Sequence, residues 1–167
     1  MKTLLLLRHA KSSWDAPAAR DIDRPLAPRG ERDAPQVGKA LRDADVDLDL
    51  VVVSTAVRAQ QTAALVLKAA KYEGAIVHEE AIYEASVSSL MDVVRRLPET
   101  AETVMLVGHN PGFEMLLGAL CGTVAAPARV RVPTGMLACL ELSGGKWAEA
   151  SAGSGTLIWM IVPRMLA

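Results

Sequence analysis

Residues 3–11 read Thr3-Leu4-Leu5-Leu6-Leu7-Arg8-His9-Ala10-Lys11, a short apolar run followed at once by basic side chains. A run of this length and composition is typical of a buried strand. In an open α/β sheet, the residues just past the carboxyl end of a strand lie in the crevice where ligands bind. The sequence therefore predicts a strand over residues 3–7, with Arg8 and His9 as candidate anion-binding and nucleophilic side chains. The alternative is a strand that merely ends in polar residues.

The same apolar signature recurs along the chain, and helical patterns separate most of the recurrences. Further strands are predicted at residues 50–54, 75–78, 103–107, 136–142 and 156–162. Apolar residues spaced three and four apart predict helices around 37–44, 59–70 and 90–97, and Pro111 opens a fourth that ends at Gly122. A helix opening near Gly30 follows a long loop over residues 16–29.

This alternation of strands and helices predicts an α/β protein. We expect a three-layer α/β/α sandwich with a mostly parallel central sheet. The last two strands, joined at Ser143-Gly144-Gly145, are expected to add an antiparallel edge.

Length and composition narrow the class of protein. The chain has 167 residues, about half of them hydrophobic, which suits one domain over residues 1–167 with a substantial core. Its formal net charge of −1 creates no general attraction for nucleic acid or membranes, so any anion site must be local. No apolar stretch approaches the length of a membrane span, and Arg8 cuts the N-terminal apolar run too short for a signal peptide. We expect a cytoplasmic protein.

Two further strand ends carry polar groups that suit an anion. Arg58 lies in the first turn of the helix after the strand 50–54, and His109 and Asn110 follow the strand 103–107 at a Gly-Pro-Gly turn. Because the carboxyl ends of parallel strands share one edge of the sheet, these residues are expected to meet Arg8 and His9. Two arginines and two histidines with little carboxylate between them predict a phosphate pocket, since the guanidinium fork matches phosphate oxygens. Lys11 and Ser12 follow His9 closely enough to touch the phosphate or another substrate group.

These segments resemble the histidine phosphatase superfamily, and more narrowly its SixA-type phosphohistidine phosphatases, the small members without large lid insertions. The resemblance covers nearly the whole chain, and its motifs are Arg8-His9-Ala10-Lys11-Ser12, Asp23-Arg24-Pro25-Leu26 with Gly30, residues 54–62, Ile82-Tyr83-Glu84-Ala85, residues 107–112 and Pro133-Thr134-Gly135.

The resemblance implies a minimal phosphoglycerate mutase-like fold and a phosphatase in which His9 is transiently phosphorylated. By position, His9 would be the nucleophile, and Arg8, Arg58 and His109 would bind the phosphoryl group. The two arginines disfavour the imidazolium and so lower the pKa of His9. Glu84 stands where larger members place their proton donor; the alternative is an exposed loop glutamate. Asp21, Asp23 and Arg24 are expected to form ion pairs that hold the loop over the pocket rim.

Three functions follow as alternatives. The first is a metal-independent, cofactor-free phosphatase acting on phosphohistidine in a protein, or a broad-specificity phosphomonoesterase acting on small phosphoesters. The second is a non-catalytic phosphate-binding regulatory module, which the intact nucleophile disfavours. The third is a metal protein using His9, His78 and His109, which the lack of further ligands disfavours. A mutase is disfavoured because that reaction needs a closed site. We expect a monomer.

Overall fold

A central mixed sheet organises the molecule. The structure is a computed structural model that describes residues 1–123 and 125–166, and these contain a six-stranded sheet. Its strands are β1 (Lys2–Arg8), β2 (Leu50–Ser54), β3 (Ala75–Glu79), β4 (Thr103–Gly108), β5 (Leu137–Leu142) and β6 (Gly155–Ile161), in the order β3-β2-β4-β1-β5-β6. The first four strands run parallel, and β5 and β6 pair antiparallel at one end of the sheet. The predicted α/β fold is confirmed.

Helices cover both faces of the sheet. They are α1 (Pro28–Asp43), α2 (Val57–Ala70), α3 (Val87–Arg95) and α4 (Gly112–Cys121). Side chains alternate between the two faces of a strand, so the leucines of β1 divide between two cores. Leu5 and Leu7 belong to the core under α1 and α2, and Leu4 and Leu6 to the core under α3 and α4. The result is the predicted three-layer sandwich.

The pair α1 and α2 packs at unusually close range. A side chain at Gly38 would collide with the backbone carbonyl of Val66. Only a residue without a Cβ lets the two helices approach this closely. This contact holds α2 against α1, and α2 carries Arg58.

The start of one helix differs from the sequence expectation, and one connection contains structure that the sequence did not indicate. Helix α1 begins at Pro28 rather than near Gly30, because proline is well suited to the first helical position. The connection from β5 to β6 spans residues 143–154, close to the length that the predicted strands imply, and it holds more structure than Ser143-Gly144-Gly145. It contains a 3₁₀ turn over Trp147–Glu149, and the Trp147 indole is fully buried with its N–H donating to the carbonyl of Ala101.

The register of the sheet aligns the carboxyl ends of β1, β2 and β4. Arg8 of β1 lies opposite Gly108 of β4, and Val53 of β2 lies opposite Val107. The backbone N–H of His9 donates to the carbonyl of Gly108 over 2.9 Å. The residues that follow β1, β2 and β4 therefore gather at one edge of the sheet. In the part of the chain that the structure describes, no helix combines the length and apolarity that crossing a membrane requires.

Candidate active site

A backbone hydrogen bond holds the His9 imidazole in one tautomer. Its ring is 7% exposed, and its Nδ1 lies 2.7 Å from the carbonyl oxygen of Ala10. Because a carbonyl oxygen only accepts, Nδ1 carries the proton and Nε2 keeps its lone pair. The Ala10 N–H donates to the hydroxyl of Thr62, which itself donates to the Arg58 carbonyl. These bonds tie the segment after β1 to helix α2 and fix the orientation of the His9 ring.

The surroundings of His9 keep the imidazole neutral. Burial lowers the pKa of His9 from 6.5 to about 4, and the charges of Arg58, Arg8 and Arg24 act in the same direction. The hydrogen bond to Ala10 opposes this lowering and only partly offsets it. At neutral pH, His9 is therefore an uncharged imidazole with an available nitrogen, flanked by cations.

His109 stands beside His9, with 5.2 Å between the ring centroids. Its Nε2 lies 2.7 Å from the hydroxyl oxygen of Ser54 at the end of β2. Burial lowers the pKa of His109 to about 3, assisted by His9 and Arg58. The ring of Tyr83 meets His109 edge-on at 5.6 Å between centroids. His109 is thus a second neutral imidazole in a fixed orientation.

Two arginines supply the positive charge of the site. Arg58 is 6% exposed, and its two terminal nitrogens donate to the backbone and side-chain oxygens of Asp21 over 2.8 and 3.1 Å. Arg8 donates through one terminal nitrogen to the carbonyl of Val132 over 2.8 Å. The Nε atoms of both arginines and Nδ1 of His109 are buried and have no partner among the described residues. Buried polar atoms without partners are rare, so three such atoms in one place indicate a site for an anion.

Asp21 and Tyr83 belong to this site through contacts with Arg58 and with each other that the sequence did not predict. The Tyr83 hydroxyl donates to the Asp21 carboxylate over 2.8 Å, and Arg24 pairs with the same carboxylate over 2.9 Å. The Tyr83 bond, with Arg24 and Arg58, lowers the pKa of Asp21 to about 2 against the opposing effect of burial. The expected ion pair of Asp21 with Arg24 is present, but the loop also brings a carboxylate onto Arg58. Nothing in the spacing of the sequence indicates that contact.

A cavity of about 380 Å³ opens beside these groups. Arg58, Tyr83, Glu84 and His109 line it, whereas His9 adjoins it through the ring of His109. The Glu84 side chain is exposed and forms no hydrogen bond or ion pair with the described residues. Its backbone adopts φ of 51°, in the left-handed region that a glutamate rarely occupies. The structure therefore places Glu84 at the cavity with a carboxyl group that no described residue engages.

The remaining candidate residues lie around this centre. Asn110 lines the cavity, and its amide donates to the carbonyl of Val132 over 2.9 Å. Lys11 is exposed, and the Ser12 hydroxyl accepts a hydrogen bond from Arg24 over 3.2 Å. The side chains of Lys11 and Ser12 are not among those lining the cavity.

The third histidine lies apart from the other two. His78 is exposed on β3, and strands β2 and β4 separate β3 from β1. Among the described residues, no three His, Cys, Asp or Glu side chains gather in a way that could hold a metal ion.

Comparison with known proteins places this arrangement in a family. The model of the histidine phosphatase superfamily (branch 1) matches residues 4–92. An uncharacterized protein of Mycobacterium tuberculosis is 35% identical, and the match covers 95% of this chain and 100% of that protein.

Solved structures agree with the family match. A protein of Nakamurella multipartitia assigned as the phosphohistidine phosphatase SixA superposes with a TM-score of 0.81 at 30% identity, over 97% of this chain and 96% of its own. The protein histidine phosphatase SixA complexed with tungstate has the same fold, with a TM-score of 0.82 at 23% identity over 99% of both chains. The chain therefore belongs to the histidine phosphatase superfamily, where it groups with the SixA-like phosphatases.

Proposed function

We propose that this phosphatase hydrolyses phosphohistidine in proteins, without a metal ion, through a phosphoryl group carried on Nε2 of His9. The observation that supports the proposal is the pairing of a buried neutral imidazole with three buried side-chain nitrogens that have no partner among the described residues. His9 supplies the nucleophile. Arg8, Arg58 and His109 supply the donors that an oxyanion would satisfy.

The first step transfers the phosphoryl group to His9. The lone pair of Nε2 attacks phosphorus, the P–N bond to His9 forms, and the bond to the leaving group breaks. Arg8, Arg58 and His109 hold the equatorial oxygens as charge shifts toward the leaving group. A leaving histidine nitrogen takes its proton from solvent or from Glu84, which lines the cavity.

The second step returns the enzyme to its starting state. Water attacks phosphorus from the side that the leaving group has vacated, and the bond to Nε2 breaks. Inorganic phosphate departs, and the proton of the attacking water passes to solvent or to Glu84. The hydrogen bond from Nδ1 to the Ala10 carbonyl keeps Nε2 as the reacting nitrogen in both steps.

Two observations bear on the substrate. The cavity lies at the carboxyl ends of the parallel strands, and Glu84 on its lining is exposed to solvent. This openness suits a phosphorylated side chain on a protein surface. The carboxyl group of Glu84, which no described residue engages and which can donate a proton when it is protonated, also favours a second candidate, a broad-specificity phosphomonoesterase. An alkoxide leaving group needs a proton donor more than an imidazole does.

Turnover assays with matched variants test the proposal. Wild type, His9→Ala and His78→Ala are compared on p-nitrophenyl phosphate and on a phosphohistidine peptide, with and without EDTA. We expect EDTA-insensitive turnover that falls at least about a thousandfold in His9→Ala and is unchanged in His78→Ala, an exposed residue of β3.

The outcomes separate the candidate functions. A higher kcat/KM on the phosphohistidine peptide favours the protein substrate, and a higher value on the small ester favours the second candidate. No turnover on either substrate would make the protein a phosphate-binding module. Loss of activity in EDTA would contradict metal independence.

A further inference from the structure

Ser54 is a buried hydroxyl that the proposed reaction has not used. It is the last residue of β2 and is 0% exposed. Its Oγ lies 2.7 Å from Nε2 of His109 and accepts a longer hydrogen bond of 3.3 Å from the backbone N–H of Ala56. The hydroxyl therefore stands between helix α2 and the second histidine of the site.

Counting donors and acceptors decides how this pair shares its protons. A serine hydroxyl has one hydrogen to donate, and a neutral imidazole has one N–H and one accepting nitrogen. If His109 donated from Nε2, the Ser54 oxygen would accept twice, and its own hydrogen would have no acceptor among the described residues. If Ser54 donates to Nε2, every polar group of the pair except Nδ1 is satisfied. Buried groups follow the arrangement that leaves the fewest unpaired.

We propose that Ser54 is a positioning residue that holds His109 in the tautomer protonated at Nδ1. His109 then offers an N–H donor to a phosphoryl oxygen while it carries no charge. The proposal rests on the phosphatase function proposed above and names the residue that prepares one of its phosphate donors.

The tautomer of His109 decides what its Nδ1 offers to a bound oxyanion. Nδ1 of His109 is buried and has no partner in the described residues, and the His109 ring lines the cavity together with Arg58. A protonated Nδ1 satisfies an oxyanion, whereas an unprotonated Nδ1 would present a lone pair to it and repel it. The single hydroxyl of Ser54 thus decides whether this wall of the cavity attracts or repels phosphate.

Nitrogen NMR reads the tautomer directly, because the chain contains only three histidines. Full-length protein labelled with ¹⁵N-histidine is studied at neutral pH, and spectra of His9→Ala and His78→Gln assign the signals. We expect His109 to show a protonated Nδ1 and an unprotonated Nε2 in the wild type. In Ser54→Ala we expect a mixture of tautomers or the form protonated at Nε2. Thr55→Ala serves as control, because its hydroxyl forms no hydrogen bond with the described residues.

Binding of inorganic phosphate gives a second readout, together with thermal unfolding of each variant. We expect Ser54→Ala to bind phosphate about three- to tenfold more weakly, with Thr55→Ala unchanged. A wild-type His109 protonated at Nε2, or a Ser54→Ala protein that keeps the Nδ1 tautomer, would overturn the proposal. Unchanged phosphate affinity after a switch of tautomer would overturn the role of Nδ1 as a donor. A wild type with the expected tautomer but no phosphatase activity would instead count against the proposed function.

Discussion

Lowering the pH separates a buried, neutral His9 from an ordinary surface histidine. With a pKa of about 4, about 90% of the His9 imidazole stays neutral at pH 5, whereas a histidine that titrates at 6.5 would be about 3% neutral. Only the neutral imidazole can attack phosphorus. We therefore expect kcat/KM at pH 5 to keep most of its plateau value, where an unshifted histidine would cost about thirtyfold.

The same lowering of the pKa has a consequence for stability, and its sign follows from proton uptake. In the unfolded chain His9 has a pKa near 6.5. In the folded protein it binds its proton only when the pH falls to about 4. Stability therefore falls as the pH drops from 6.5 toward 4, by about 3 kcal/mol from this residue. His109, with a pKa of about 3, acts in the same direction.

The assay combines kinetics with direct titration. kcat/KM on p-nitrophenyl phosphate is measured from pH 4 to 8 and corrected for ionisation of the ester, and the His9 signal is followed by NMR. Burial is the largest cause of the lowered pKa, so Arg58→Gln should raise the pKa of His9 but leave it below 6.5. Arg96 is exposed at the end of α3, so Arg96→Gln should leave the pKa of His9 unchanged. A kcat/KM that falls below about pH 6.5, together with titration of His9 at that pH, would contradict a lowered pKa of His9.

Three further predictions concern single residues. Glu84→Gln should reduce kcat on an alkyl phosphomonoester by about tenfold or more and have a smaller effect on a phosphohistidine peptide, because the two leaving groups differ in their need for a proton; equal losses would contradict this. Gly38→Ala should lower the free energy of unfolding by about 2 kcal/mol through the clash between α1 and α2, as measured by urea denaturation, with exposed Lys39→Ala as a nearly neutral control. Tyr83→Phe should raise the pKa of Asp21 above about 2, since the Tyr83 hydroxyl is the largest cause of its lowering, and carboxyl NMR that finds no change would be inconsistent with that bond.

The sequence predicted those parts of the site that depend on where strands end. Short apolar runs mark β1, β2 and β4, and parallel strands bring their carboxyl ends to one edge. This was enough to bring His9, Arg58 and His109 together, because His9 and His109 directly follow β1 and β4, and Arg58 lies in the first turn of the helix after β2. The layers of the fold followed from the same alternation of strands and helices.

The parts that were missed depend on contacts between distant segments. Asp21 lies in a loop whose path is set by packing, so its bond to Arg58, 37 positions along the chain, has no local signal. The pairing of Ser54 with His109 spans 55 positions and needs the register of β2 on β4. Likewise, the hydrogen bond from the buried Trp147 indole to the Ala101 carbonyl spans 46 positions and has no local signal in the sequence. Tertiary packing, rather than local propensity, decides all three.

Trapping the phosphoenzyme tests directly whether His9 carries the phosphoryl group during turnover. The protein is mixed rapidly with a phosphohistidine peptide, quenched in base to preserve phosphohistidine, and mapped by mass spectrometry and NMR. We expect one phosphoryl group on Nε2 of His9, formed and hydrolysed at least as fast as turnover and absent from His9→Ala. Turnover without this intermediate, or a phosphoryl group on another residue, would contradict this role of His9.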